Sequence, residues 1–157
     1  MRTIAPVSLD PSDAIEHTII VGVGGAAEWE LADRALHPGA NLMVEWDAIE
    51  EWLELEVSAS ILSVDGGAEV PIDLLFKKPF RVARWAEFMV GIGPQVVPVW
   101  NTTTTATYFG GEVALDFMFW PWGQRVGLWI ASEFDLTFPD GRASSSIGSS
   151  GGLLFGW

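Results

Sequence analysis

Large apolar residues alternate with small or polar residues along most of the chain after residue 15. Residues 53–61 read LELEVSASI, and residues 113–119 read VALDFMF. Because successive side chains of a β-strand point to opposite faces, this period of two predicts strands with one apolar face. Eight such runs are present: 16–31, 41–49, 53–63, 68–77, 84–97, 106–119, 125–138 and 146–157.

Turn-forming residues separate these runs and predict short connections. They are His37-Pro38-Gly39, Asp65-Gly66-Gly67, Lys78-Pro79, Trp120-Pro121-Trp122-Gly123 and Pro139-Asp140-Gly141. Residues 45–62 also have some helical spacing, but Leu55 breaks that stripe and the neighbouring runs favour strands. We expect a flexible tail over 1–15 and a single domain over 16–157, either a sandwich or a closed up-and-down barrel.

The sizes of the side chains indicate which face of the strands is inside. An eight-stranded barrel has an interior only just wide enough for side chains to fill, so the many large apolar groups on one face would overcrowd it. The opposite face is mostly glycine, alanine, serine and carboxylates. The pattern therefore predicts an all-β, eight-stranded antiparallel up-and-down transmembrane β-barrel, apolar outside and polar inside.

Aromatic residues near the ends of the runs fit the two interfacial girdles of such a barrel, where indole rings lie at headgroup level. Connections after the first, fifth and seventh runs are expected to be longer or more polar, with 31–40 and 98–107 the most mobile, whereas those after the even-numbered runs and at 64–67 are short. The predicted membrane-interface aromatics are Trp46, Trp52, Trp85, Trp120, Trp122 and Trp157 on the short-turn side, and Trp29, Trp100 and Tyr108 on the long-loop side.

The last strand, GGLLFGW, alternates Leu153, Phe155 and Trp157 up to a terminal aromatic residue. With the eight runs, it makes residues 16–157 resemble the small eight-stranded bacterial outer-membrane β-barrel proteins. The resemblance implies a bacterial outer-membrane location, a lipid bilayer or detergent as the surroundings, and a structural or surface-interaction role. It also implies that Leu153, Phe155 and Trp157 form the signal read by the outer-membrane assembly machinery, although Trp157 replaces the commoner Phe.

Composition restricts the functions further. The net charge of −13, with 21 acidic and 8 basic residues, excludes nucleic acid as a partner, because an acidic surface repels phosphate. The chain has no cysteine, so it can have neither disulfides nor a thiolate nucleophile. An apolar content of 49% is too high for a disordered chain.

Carboxylates are concentrated on the face predicted to line the lumen. Crowded like charges need protons, water or metal ions, so the lumen is either a hydrated, hydrogen-bonded plug, which we favour, or a site that binds or passes cations. The predicted lumen cluster contains the acidic residues Glu45, Asp47, Glu54, Glu56, Asp73, Glu87, Glu112, Asp116, Glu133 and Asp135 and the basic residues Lys77 and Arg125.

No motif indicates an enzyme or a cofactor. Gly148–Gly152 matches G-x-S-x-G, but no helical pattern and no histidine follow it. His17 and His37 are poorly spaced for a metal site, and no polar triad for lipid chemistry can be assembled. We therefore expect a non-enzymatic outer-membrane barrel, the alternative being a soluble lipocalin-like barrel that binds an apolar ligand.

Overall fold

The computed structural model describes residues 18–50, 52–102, 105–122 and 125–157, and the tail predicted at 1–15 lies outside them. Strands account for most of these residues and follow the eight apolar runs. They are β1 (Ile19–Glu30), β2 (Leu36–Ile49), β3 (Leu53–Val64), β4 (Gly67–Glu69), β5 (Ile72–Ala83), β6 (Ala86–Asn101), β7 (Thr105–Phe119), β8 (Val126–Thr137) and β9 (Ser144–Gly156).

Antiparallel pairing closes the sheet into a barrel, because β1 pairs with both β2 and β9. The strands β4 and β5 share the partners β3 and β6, and together they form one barrel strand. Its interruption lies at Val70 and Pro71, where proline has no N–H to donate. The backbone remains bonded there, since Ser60 donates to the Pro71 carbonyl at 3.0 Å. The predicted eight-stranded antiparallel barrel is confirmed.

One row of paired residues shows how the strands are staggered. It starts at Ile19, crosses every barrel strand and returns to β1 at Trp29, ten residues further along the chain. A stagger of this kind tilts the strands relative to the barrel axis. Every member of the row is large and apolar and lies on the outer face: Ile19, Trp46, Leu55, Phe76, Ile92, Val113, Phe134, Ile147 and Trp29.

The two ends of the barrel are named here by their contents. The terminus end carries Ile19, Trp157 and the connections 50–52, 84–85 and 120–125, and the loop end carries 31–35, 65–66, 102–104 and 138–143. The expectation of long connections at 31–40 and 98–107 is wrong, because β2 already begins at Leu36 and β6 continues to Asn101. Connections at the two ends are therefore similar in length.

Two of the predicted turns are also wrong. Pro38 pairs with Ala27 inside β2, and Pro79 pairs with Met89 inside β5. The inward and outward alternation continues through both prolines, so the strands cross positions where a turn was expected. Asp65–Gly66 does form a turn, and Pro139–Gly141 forms a short 3-10 turn. Within the described residues, no helix is long and apolar enough to cross a bilayer.

Closure between β1 and β9 depends on a close backbone approach at Gly24. A Cβ atom there would overlap the carbonyl oxygen of Gly151 on β9. At the next residue, Gly25, a Cβ atom would meet nothing nearer than the Gly39 carbonyl oxygen at 4.0 Å. Two adjacent glycines therefore differ in how much space the first and last strands leave them.

We predict that Gly24→Ala destabilises the barrel by about 1–3 kcal/mol, because the strands must separate to admit the methyl group. Gly25→Ala is the matched control and should change stability by less than about 0.5 kcal/mol. Urea-induced unfolding in detergent micelles measures both. Equal effects of the two substitutions would show that the β1–β9 approach is not restrictive.

Candidate functional site

The outer wall of the barrel is apolar over most of its surface. Leu115 on β7, for example, is 44% exposed, and its neighbours along the strand on the same face are Val113 and Phe117. A continuous apolar surface that covers most of the outer wall is unusual for a protein in water. The chemistry of the molecule is therefore concentrated in the interior and at the two ends.

The interior holds most of the predicted lumen cluster. The structure buries Glu45, Glu54, Glu56, Asp73, Lys77, Glu112, Asp116 and Asp135, and it leaves Glu87 and Glu133 half-buried. Asp47 and Arg125 are exposed instead. Both lie at the terminus end, Asp47 near the end of β2 and Arg125 immediately before β8.

An apolar plug fills the interior toward the terminus end. The sequence pattern was interpreted as a lumen of small and polar residues, so this plug was not predicted. Its members alternate with outward-facing residues, so the same alternation could have identified them. The plug contains Ile20, Met43, Met89, Met118, Trp120, Trp129, Ala131 and Leu154.

Lys77 forms an ion cluster beside the plug. This side chain is 1% exposed, and its Nζ atom lies 3.0 Å from Glu45 Oε2 and also bonds to Glu56 and Asp116. The lysine on β5 thus joins carboxylates from β2, β3 and β7. Gly91 makes room for it, since a Cβ there would lie 3.0 Å from Lys77 Cγ. Buried charges are costly unless they are paired, so the loss of any one of these side chains would destabilise the others.

We predict that Lys77→Met destabilises the barrel by about 3–5 kcal/mol near neutral pH, because three buried carboxylates lose their counter-charge. Acidification should restore much of the loss, since protonated carboxylates need no cation. The measurement is the urea midpoint in detergent at two pH values.

Lys78→Met is the control for this substitution. The Lys78 Nζ atom lies 5.8 Å from the Trp52 ring centroid and 6.0 Å from that of Phe80, on the outer face of β5. Its loss should cost about 0.5–1 kcal/mol. If both lysine variants had the same urea midpoint, the buried ion pairs of Lys77 would contribute no more to stability than the exposed contacts of Lys78.

An acidic chamber lies on the loop-end side of Lys77. It is a cavity of about 30 Å³, large enough for about two water molecules. Its carboxylates are bonded to neutral donors: Ser58 Oγ donates to Asp73 at 3.2 Å, and Gln95 Nε2 donates to Asp135 at 2.8 Å. The polar part of its wall contains Asp73, Glu112, Glu133 and Asp135, with Asn41, Ser58, Ser60, Gln95 and Ser150 beside them. The rest of the wall includes two partners of Lys77 and four residues of the apolar plug: Glu56, Asp116, Met43, Met118, Trp129 and Ala131.

A second cavity, of about 70 Å³, lies closer to the loop end and is called the outer cavity here. Glu28, Pro71 and Gln95 line both it and the acidic chamber. Glu30 and Glu69 add further carboxylates to its wall. The interior thus offers an acidic route from the loop end to the chamber, whose wall includes members of the Lys77 cluster and of the apolar plug.

Most of the predicted interfacial aromatics face outward. Trp29, Trp52, Trp85, Trp100, Trp122 and Trp157 are exposed, and Trp46 is half-exposed.

Trp120 and Tyr108 do not fit the predicted girdles. Trp120 is buried because its ring lies against Gly127, where a Cβ would come within 2.7 Å of it. Tyr108 points inward because it shares the face of Glu112 on β7, and it lines the outer cavity.

The Gly148–Gly152 segment lies within β9, and Ser150 Oγ donates a hydrogen bond to Glu133 at 2.5 Å. His37 Nδ1 lies 3.2 Å from the Ser63 carbonyl oxygen, and its Nε2 lies 3.8 Å from Glu30. His17 is outside the described residues. In the described parts of the chain, no three His, Cys, Asp or Glu side chains are arranged to hold a metal ion by themselves.

Comparison with solved structures identifies the fold. Neisserial surface protein A (NspA) superimposes with a TM-score of 0.67 and 12% identity, covering 89% of this chain and 97% of that one. The fold is that of the small outer-membrane β-barrels. The N-terminal β-barrel domain of Pseudomonas aeruginosa OprF gives a TM-score of 0.58 at 10% identity, covering 89% of this chain and all of that domain.

Ail, the attachment invasion locus protein of Yersinia pestis, shares the same barrel, with a TM-score of 0.50, 13% identity and coverage of 90% of this chain and 99% of that one. No protein-family model matches the sequence, and no curated protein is similar to it. The similarity therefore concerns the fold alone.

Proposed function

We propose that this protein resides in the bacterial outer membrane, crosses it with its apolar outer wall, and has a structural or surface-interaction role rather than a catalytic one. The observation that carries the proposal is the outward row from Ile19 to Trp29, which is apolar around the whole circumference. In water such a wall would cause aggregation, whereas in lipid it is what a spanning barrel requires.

The interior argues against the soluble alternative. A lipocalin-like barrel holds its apolar ligand in an apolar lumen, but here carboxylates line the cavities toward the loop end, and the plug packs beside the buried ion cluster of Lys77 toward the terminus end. Both of these cavities have carboxylates in their walls, which an apolar ligand would leave without solvent. A protein with this interior has a polar core and an apolar surface, the reverse of a soluble carrier.

The loop end is proposed to face the outside of the cell. Barrels of this type have an even number of strands, so both chain termini lie at the same end, which is the periplasmic one. NspA is a surface protein and Ail an attachment protein by name. By analogy, connections 31–35 and 138–143 are proposed as the positions that contact a partner. Leu153, Phe155 and Trp157, which alternate on the outer face of β9, remain the proposed signal for the assembly machinery.

Two leucine substitutions test the location in lipid. Leu115 lies in the middle of β7, whereas Leu36 is the first residue of β2 at the loop end, and both are exposed, at 44% and 58%. We predict that Leu115→Arg costs about 2–4 kcal/mol on folding into lipid vesicles and Leu36→Arg about 0–1 kcal/mol, because the cost of arginine depends on depth in the bilayer.

Equilibrium unfolding from vesicles gives both values. A soluble barrel would tolerate arginine equally at the two exposed positions, so equal costs, or a protein that stays monomeric in buffer without detergent, would contradict the proposal.

A further inference from the structure

Most carboxylates of the acidic chamber have no cation beside them. None of the described residues that line it is basic. The Lys77 ammonium group is bound to Glu45 and to two carboxylates of the lining, Glu56 and Asp116. Among the described residues, no ion pair reaches the remaining four carboxylates, Asp73, Glu112, Glu133 and Asp135. The serine and glutamine donors that reach the chamber carboxylates are neutral, so they orient these groups without balancing their charge.

Two buried amide oxygens provide a second observation, independent of the carboxylates. Gln95 is 5% exposed and Asn41 is 8% exposed, and both line the chamber. The Oε1 atom of Gln95 and the Oδ1 atom of Asn41 have no hydrogen-bond partner. The Gln95 amide cannot simply be reversed, because its Nε2 donates to Asp135 at 2.8 Å, and reversal would set oxygen against oxygen.

The register places Gln95 beside the carboxylates. Asp73 is its direct partner across β5 and β6, and Glu112 is the partner of Asp135, to which the Gln95 amide is bonded. One oxygen of Asp73, Oδ1, also lacks a partner, while Oδ2 accepts from Ser58. Unpartnered buried oxygens cost free energy unless something binds them.

The donor set contains only oxygen, which suits hard cations. Within the part of the chain that the structure describes, no three acidic or histidine side chains are grouped to hold a metal ion by themselves, so the ligands must include amide oxygens and water. Ca²⁺ accepts such a mixed, irregular set of ligands, whereas Mg²⁺ demands a regular octahedron and keeps several waters. A cavity of about 30 Å³ has room for only about two.

We propose that the acidic chamber is a Ca²⁺ site, with Asp73, Glu112 and the Gln95 carbonyl as ligands, Asn41 as a further oxygen donor, and the outer cavity as its entrance. Glu28, Glu30 and Glu69 in that entrance attract cations toward it. The site requires only the folded barrel and no surface partner, so failure of the lipid-depth test and failure of the calcium test are separate results.

The experiment uses the full chain, folded in detergent and freed of metal with a chelator. CaCl₂, MgCl₂ and NaCl at matched ionic strength are added, and the thermal midpoint is recorded. Terbium, a luminescent calcium analogue, reports binding directly through excitation of Trp129, which lines the chamber. We expect Ca²⁺ to raise the midpoint more than Mg²⁺ and much more than NaCl, and to displace terbium.

The double variant Asp73→Asn, Glu112→Gln should bind Ca²⁺ at least tenfold more weakly, although its midpoint without metal should equal or exceed that of the wild type. Glu54→Gln, which removes a buried carboxylate near the terminus end, should bind as the wild type does. Gln95→Met removes the amide oxygen while keeping every carboxylate, and it should also weaken Ca²⁺ binding. It tests the site independently of whether the double variant folds. A calcium effect no larger than that of NaCl, or one lost equally in Glu54→Gln, would overturn the proposal.

Discussion

The narrow interior of a closed eight-stranded barrel is the constraint on which the rest of this structure depends. Closure satisfies every strand edge, and it also leaves two environments of opposite character, a circumference of hydrocarbon and a thin polar core. Because the outer row from Ile19 to Trp29 is apolar, most carboxylates of the strands must point inward. Lys77 is at the centre of this arrangement, since its ammonium group balances the negative charge of carboxylates from three other strands.

The Lys77 cluster also divides the lumen into parts with different chemistry. Met43, Met118 and Trp129 of the plug supply carbon to one part of the chamber wall, and carboxylates and amides supply polar atoms to the rest. An ion entering from the loop end would meet carboxylates first and then the ammonium group of Lys77, with hydrocarbon behind it. This sequence of layers favours retention of a ligand within the loop-end half over passage through the barrel.

Strand alternation was sufficient to predict the fold and much of the inward-facing set, because it depends only on the period of two. Two kinds of feature in the strands and turns required the structure. The connections were misplaced because Pro38 and Pro79 are tolerated within paired strands. Trp120 was misplaced because its ring folds back over Gly127. Tyr108, in contrast, was missed although its spacing from Glu112 already places it inside.

The partners of Lys77 could not be predicted from sequence for a different reason. Its direct neighbour across β3 and β5 is Glu54, yet the ammonium group bonds to Glu45, Glu56 and Asp116. Long side chains in a tilted barrel reach diagonally across several strands, so their contacts depend on stagger as well as on pairing. A one-dimensional pattern contains no information about that stagger.

Glycine on the inner face provides the space for these long side chains. Gly91 lies against the stem of Lys77, and a Cβ on Gly148 would come within 2.5 Å of a carboxylate oxygen of Glu133. Gly22 stands in the same relation to Met43, where a Cβ would lie 2.7 Å from its Cγ. In a lumen of fixed width, each large or charged group needs a neighbour without a side chain. The small residues and the carboxylates on the inner face are therefore two parts of the same packing solution.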